Sequence, residues 1–356
     1  MVQNLRMGRP RKVSRKRYCE FLMATPVNRT QTYFADHCDD FSHDAINRYL
    51  KGDRVTPAQV WEAARTHFEL SPRGYLVFDD SVMDKSHSRQ INVARQQWSG
   101  NEKRTIRGIG VVTCVYINPD SEKFWIVDYR VFAPNQDGKT KIEHVHEMFQ
   151  RALERCAVGE FKFRTVLMDS WYATESLMTA IDRAGKYFCC PIKSNRNIQD
   201  AREDDLEWTP HWCSYQRADG VSWSKDQEEH GRVVHLKKCP KAFRVKMFRI
   251  AFSTERTELI VTNDPTLLTT DDVRSTCAIR WKVEVFHREY KQITGVEDCQ
   301  CRVGRAQRNH IGCAMLIWLR MKHLAEKAGT TIYQLKERLL SDYMRRELRS
   351  PTFTFA

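Results

Sequence analysis

Arg280-Trp281-Lys282-Val283-Glu284-Val285-Phe286-His287-Arg288-Glu289-Tyr290-Lys291 mixes charged and apolar side chains at the spacing of a helix. Val283, Phe286 and Tyr290, with Ile279 just before them, recur every third or fourth position and form one apolar stripe. Arg280, Glu284 and Lys291 fall together on the adjoining face. Two readings of that face stand side by side. One is a solvated helix whose Arg280–Glu284 and Glu284–Arg288 pairs contribute about 0.2–0.5 kcal/mol each. The other is a carboxylate flanked by cations that grip phosphates. Spacing alone does not choose between them.

Upstream, the signals are those of β-strands. The runs 75–80, 106–116, 124–132, 165–169 and 187–192 are short, apolar and rich in β-branched and aromatic residues, while 143–156 and 174–184 have helical periodicity. That order predicts an α/β fold, a mixed sheet with covering helices. The first run closes on Asp79-Asp80 and the fourth on Asp169. A carboxylate at the end of a buried strand must be compensated or solvated, and two from separate strands can hold a divalent cation through oxygen ligands. The plainer reading is that Asp is a common turn residue. Residues 195–264 change character. Trp208, Trp212 and Trp223 stand among polar residues, and 233–236, 243–252 and 258–262 are β-rich, as in an insertion. From Asp271 the chain reads as helical: one helix through Lys291, then 305–327 and 332–348.

Charge sits at the ends. The 356 residues carry +13, of which 1–17 hold seven bases and no acid, 302–356 hold eleven bases and four acids, and the body between is near neutral. Such a distribution fits a polyanionic partner held at particular places. Gly8-Arg9-Pro10-Arg11-Lys12 resembles an AT-hook, whose arginines enter a narrow minor groove, and a plain solvating tail is the alternative. Ser42 is placed to cap a helix over 43–50, and Thr56-Pro57 with Gln59 opens a second. The pair resembles a helix-turn-helix, or else an ordinary helical bundle. The longest apolar stretch, 311–319, falls far short of the roughly 20 residues that span a bilayer, so no membrane partner is expected. The first residues lack a signal-peptide core, and a cytoplasmic, nucleoid-associated protein is expected. Twelve cysteines include no Cys-x2-Cys pair, which argues against structural zinc and for reduced, mostly buried thiols.

Arg280-x3-Glu284-x6-Lys291, following two strand-borne acids, resembles the DDE transposases of bacterial insertion sequences. It resembles the branch marked by Tyr-x2-Arg-x3-Glu-x6-Lys, the insertion-sequence-four-like superfamily. Asp298-Cys299-Gln300-Cys301-Arg302 and Gln307-Arg308-Asn309-His310 also look like this branch. The resemblance implies an RNase H-like (retroviral-integrase-type) core and three catalytic, metal-holding acids. An acid followed by Ser or Thr selects Asp80 as the first, with Asp79 as the fallback; the second is Asp169 and the third Glu284. It implies two Mg²⁺ or Mn²⁺ ions, and double-stranded DNA as substrate. That DNA would be the terminal inverted repeats of the element and a target, held by a homodimer. Arg280, Lys291 and Arg288, with Arg9, Arg11 and Lys12 of the arm, become DNA contacts, and Trp223 a candidate for stacking on an unstacked base. The signature tyrosine is replaced by Cys277. The implied layout is a basic arm over 1–17, a helical DNA-binding region over 18–72, the core over 73–194 and 265–300, the insertion over 195–264 and basic helices over 301–356. The expected activity is cut-and-paste transposition. An RNase H-like resolvase or repair nuclease, and a domesticated DNA-binding protein without catalysis, are the alternatives.

Overall fold

Short capped helices come first. The computed structural model describes residues 12–25, 28–100, 102–201, 214–253 and 256–350. Helices α1 (Arg15–Ala24), α2 (Gln31–Asp36), α3 (His43–Gly52) and α4 (Pro57–Arg65) each start from a Ser or Thr whose hydroxyl accepts a free backbone amide of the first turn. Thr56 and Gln59 complete a capping box at α4. Ser14 caps α1, so the basic stretch 1–17 runs into this helix; Arg9 and Arg11 lie outside the described residues, and Lys12 is exposed.

The sheet follows. Its strands are β1 (Tyr75–Asp84), β2 (Arg95–Ser99), β3 (Arg104–Ile117), β4 (Phe124–Phe132), β5 (Thr165–Met168), β6 (Tyr187–Ile192), β7 (Asn197–Asp200), β8 (Gln216–Arg217), β9 (Arg232–Leu236), β10 (Val245–Ala251) and β11 (Thr257–Thr262). Helices α5 (Pro134–Asp137) and α6 (Lys141–Ala157) separate β4 from β5, α7 (Glu175–Arg183) separates β5 from β6, and α8 (Lys225–His230) precedes β9. After β11 come α9 (Thr270–Ile279), α10 (Trp281–Thr294), α11 (Gly304–Lys327) and α12 (Ile332–Arg349). β3 lies antiparallel to both β1 and β4, while β1, β5 and β6 are mutually parallel neighbours. This is a mixed α/β sheet with flanking helices.

Three features differ from the sequence reading. β1 does not stop at Asp80 but continues to Asp84, because β3 supplies a ladder partner for every residue, including Asp79↔Thr113 and Asp80↔Val112. The helix expected to run from 271 to 291 breaks at Arg280, where the amides of Arg280 and Val283 turn back to carbonyls three residues earlier. The break lets α9 pack on β6 and β10 while α10 packs on β1 and α11. The β-rich insertion extends the core sheet: β11 pairs antiparallel with β6, then β10, β9, β7 and β8 continue the order outward.

α11 anchors the helix that carries Glu284. Phe286 meets Trp318 edge-on at 4.8 Å, a geometry worth about 0.5–1.5 kcal/mol beyond the area it buries. The buried Glu289 carboxylate is satisfied by Trp318 Nε1 at 3.0 Å and Lys322 Nζ at 3.2 Å. Gln307, Asn309 and His310 act as stitches. Gln307 bonds the carbonyls of Cys299 and Cys301, Asn309 holds the carbonyls of Leu50 and Asp53 and the amide of Val55, and His310 meets Tyr18 at 2.8 Å. Polar groups at 0–2% exposure have to be paired in this way. No helix among the described residues is long and apolar enough to cross a membrane.

Candidate active site

A strand sends successive side chains to opposite faces of its sheet, and this separates the two neighbouring acids of β1. Asp79 turns toward α10. Its carboxylate, one of Glu284 and a ring nitrogen of His287 all lie within 4.8 Å of one another. Asp80 turns toward α6 and the loop after β5, where Lys141 Nζ reaches Oδ2 at 2.6 Å and the Tyr172 hydroxyl donates to Oδ1 at 2.6 Å. Asp169, just past the end of β5, accepts the amides of Trp171 and Tyr172 on Oδ1. All four acids line one cavity of about 1300 Å³, together with Arg280, His287, Lys291, Trp98 and Trp171.

The electrostatics follow from burial. Asp79 is 9% exposed, and desolvation, then the charges of Asp169 and Glu284, push its pKa well above the carboxylate range. Asp169 is raised too, first by burial, with the Asp80 charge adding to it and two backbone amides opposing it. His287 moves the other way, down to about 4, because burial and then Lys291 disfavour its cation. The Thr113 hydroxyl donates its only hydrogen to the Asp79 carbonyl, so at 3.0 Å it accepts from His287 Nε2–H. A neutral imidazole in that tautomer keeps its lone pair on Nδ1. Hard carboxylate oxygens with one imidazole nitrogen suit a divalent cation of the Mg²⁺–Mn²⁺ kind, and a cation would relieve the crowding of Asp79, Asp169 and Glu284. The residues present therefore fit a metal.

The expected DNA contacts are divided. Arg280 lines the cavity and opposes the rise in both Asp79 and Asp169. Lys291 also lines it, with its ammonium on the Val82 carbonyl at 2.7 Å and Glu297 at 3.2 Å. Arg288 projects from the far side of α10 toward Tyr333 of α12 and does not reach the cavity. Trp223 is half-buried beneath Arg232, whose guanidinium lies 5.5 Å from its ring centre; Trp208 and Trp212 lie outside the described residues. Cys277, in the place of the signature tyrosine, faces the Cys189 thiol at 3.8 Å.

Sequence reasoning missed His287, Lys141, Tyr172, Trp98 and Trp171. His287 had a usable signal, since it stands one turn beyond Glu284, and so did Tyr172, three residues after Asp169. Lys141 had none, because only the fold brings the start of α6 to β1. A family model described as a transposase DDE domain matches residues 71–320, a span from just before β1 into α11 that takes in all four acids. A search of curated proteins finds no match. With well over half of its length matched, the chain belongs to the transposase DDE domain family, whose members bind DNA, act on it as nucleases and strand transferases, and use divalent metals.

Proposed function

We propose that this protein cuts DNA at the ends of its own mobile element and joins them to a target, by cut-and-paste transposition of the insertion-sequence-four-like type. The observation that carries the proposal is the convergence of Asp79, Asp169 and Glu284 from a central strand, its parallel neighbour and a helix on one cavity. The strand order β4-β3-β1-β5-β6, with antiparallel β4-β3-β1 and parallel β1-β5-β6, supports an RNase H-like core.

Asp79 is taken as the first acid in preference to Asp80, because it shares its face with Glu284 while both Asp80 oxygens are engaged by Lys141 and Tyr172. Two Mg²⁺ or Mn²⁺ ions, when bound, would activate the attacking hydroxyl and stabilise the leaving oxygen of an in-line displacement at phosphorus. Asp79, Asp169 and Glu284 would hold them, with His287 beside them as a nitrogen donor. Asp80 positions the β5–α7 loop through Tyr172. Arg280, in the cavity lining, would contact a phosphate by paired N–H donors, and Lys291 as a point charge. The basic ends of the chain would hold flanking duplex, and joining two ends calls for two copies.

Asp79→Asn, Asp169→Asn and Glu284→Gln should each abolish cleavage of end DNA while leaving its gel shift nearly intact, since charge is lost and bulk kept. Asp80→Asn should retain partial cleavage. Full cleavage by Asp79→Asn with none by Asp80→Asn would transfer the first-acid role to Asp80. A strand-transfer assay on the wild type separates transposition from a resolvase or repair nuclease, which would cut without joining.

A further inference from the structure

Beside the acid cavity opens a second, smaller one of about 290 Å³, whose lining includes Trp171, Lys193, Arg196, Lys237, Lys238 and one acid, Glu175. Three turns build it. Trp171 belongs to the loop between β5 and α7, Lys193 to Arg196 leave the end of β6, and Lys237-Lys238 follow β9. Arg196 ties the turns together, donating to the Ala173 carbonyl at 2.8 Å and approaching Glu175 at 3.9 Å. Trp171 is 57% exposed, an unusual state for so large an apolar ring. The Lys193 ammonium stands 5.2 Å from its ring centre. Among the described residues no carboxylate pairs with Lys193, Lys237 or Lys238. Ser170 and Trp171 line both cavities, so the slot continues directly from Asp169.

We propose that this slot binds one unpaired nucleotide of the DNA strand running away from the acids, its base on Trp171 and its phosphate among the lysines. The inference rests on the proposed function above. An open indole face recognises any base that has left its stack, whereas duplex DNA hides its base faces and offers only phosphates. The three ammonium groups supply the phosphate contact. Trp223, the tryptophan for which the resemblance implied stacking, is half-buried beneath Arg232, whereas Trp171, with Lys193 over one face, stays 57% exposed.

The test uses the full chain in Ca²⁺ and fluorescence anisotropy on three DNAs: a blunt duplex, the same duplex with an unpaired 3′ tract, and that duplex with an abasic tract. Wild type should prefer the unpaired tract over both others. Trp171→Ala should lose about five-fold or more on the tract alone, and Trp171→Phe should keep most of the preference. Lys193→Ala with Lys238→Ala should lower the salt slope for the tract by about 1.4, at roughly 0.7 per phosphate contact on a single strand. Equal wild-type affinity for all three DNAs overturns the slot, as does a Trp171→Ala loss shared equally among them. If that happens while wild type still cuts end DNA in Mn²⁺, the proposed function stands without the slot. A wild type that neither binds nor cuts any of the DNAs overturns both.

Discussion

Asp79 and Asp80 are neighbours in sequence, yet their neutralisation should move stability in opposite directions. Asp79 lies with Glu284 inside a 4.8 Å cluster, and two like charges at that separation repel by about 3.5 kcal/mol at an effective dielectric constant of about 20. Arg280 offsets part of this and desolvation adds to it. Asp79→Asn keeps the bulk and the acceptor for the Asp80 amide, and should raise metal-free stability by about 1–3 kcal/mol. For a chain of this length that is about 1–4 °C in melting temperature. Asp80 is 18% exposed and paired on both oxygens, so Asp80→Asn should lower stability by about 1–3 kcal/mol by leaving the half-buried Lys141 without its counter-charge. The assay is thermal melting of wild type and both variants in EDTA, then in Mn²⁺. Wild type should gain most from the ion, since a ligand that binds only the folded state stabilises by mass action, and Asp79→Asn should gain least. Asp79→Asn melting at or below wild type in EDTA, or a Mn²⁺ gain equal in all three proteins, would refute the crowded-carboxylate account.

Further expectations concern the grip on DNA and the helical region. Arg280→Ala should reduce cleavage ten-fold or more through loss of a charge-assisted phosphate contact worth about 1.5–3 kcal/mol, while remaining folded in Mn²⁺ by thermal melting; unchanged cleavage in the folded variant would remove Arg280 from the interface. Deleting residues 1–11 takes away Arg6, Arg9 and Arg11 and should flatten the log–log salt dependence of end binding by up to about 2.7, at roughly 0.9 per contact, whereas an unchanged slope would mean the arm does not touch DNA. Asp53 is held down to about 2, chiefly by the Arg15 guanidinium and then by Tyr49. The stability it contributes is therefore full above its unfolded value near 4 and is lost as pH falls through about 2. Urea unfolding between these limits should show a decline of about 1–2 kcal/mol in wild type, after allowance for solvent at the half-exposed pair, that is missing in Asp53→Asn. A decline of the same size in the variant would assign it to other carboxylates.

Local signals are what the sequence makes legible. Ser42, Thr56 and Gln59 announce their helix starts because a cap is a contact between residues two or three apart. Short apolar runs mark β3 to β6, and the stripe of Val283, Phe286 and Tyr290 marks the buried side of α10. What escapes is decided by partners far along the chain. Asp79-Asp80 looks like the end of a strand until β3 is there to carry the ladder on to Asp84. Which of the two acids faces Glu284 has no meaning until α10 is laid on one side of the sheet. The break at Arg280 is likewise invisible in a periodicity that runs through it, because two different packing surfaces impose it. β2 is polar and half exposed, and only its pairing with β3 makes it a strand.

The pairing of β11 with β6 orders events during synthesis. Cys189 meets Thr262 across that ladder, so the edge of β6 stays open until more than seventy further residues have left the ribosome. An apolar, unpaired edge is a template for any passing strand, and nascent chains of this protein should be most prone to aggregate, or most dependent on a chaperone, in that interval. The acid helix emerges only after β11. Chains cut short within the insertion would carry Asp79 and Asp169 but no Glu284, and on the proposed mechanism could neither complete the metal site nor nick the DNA from which they were made.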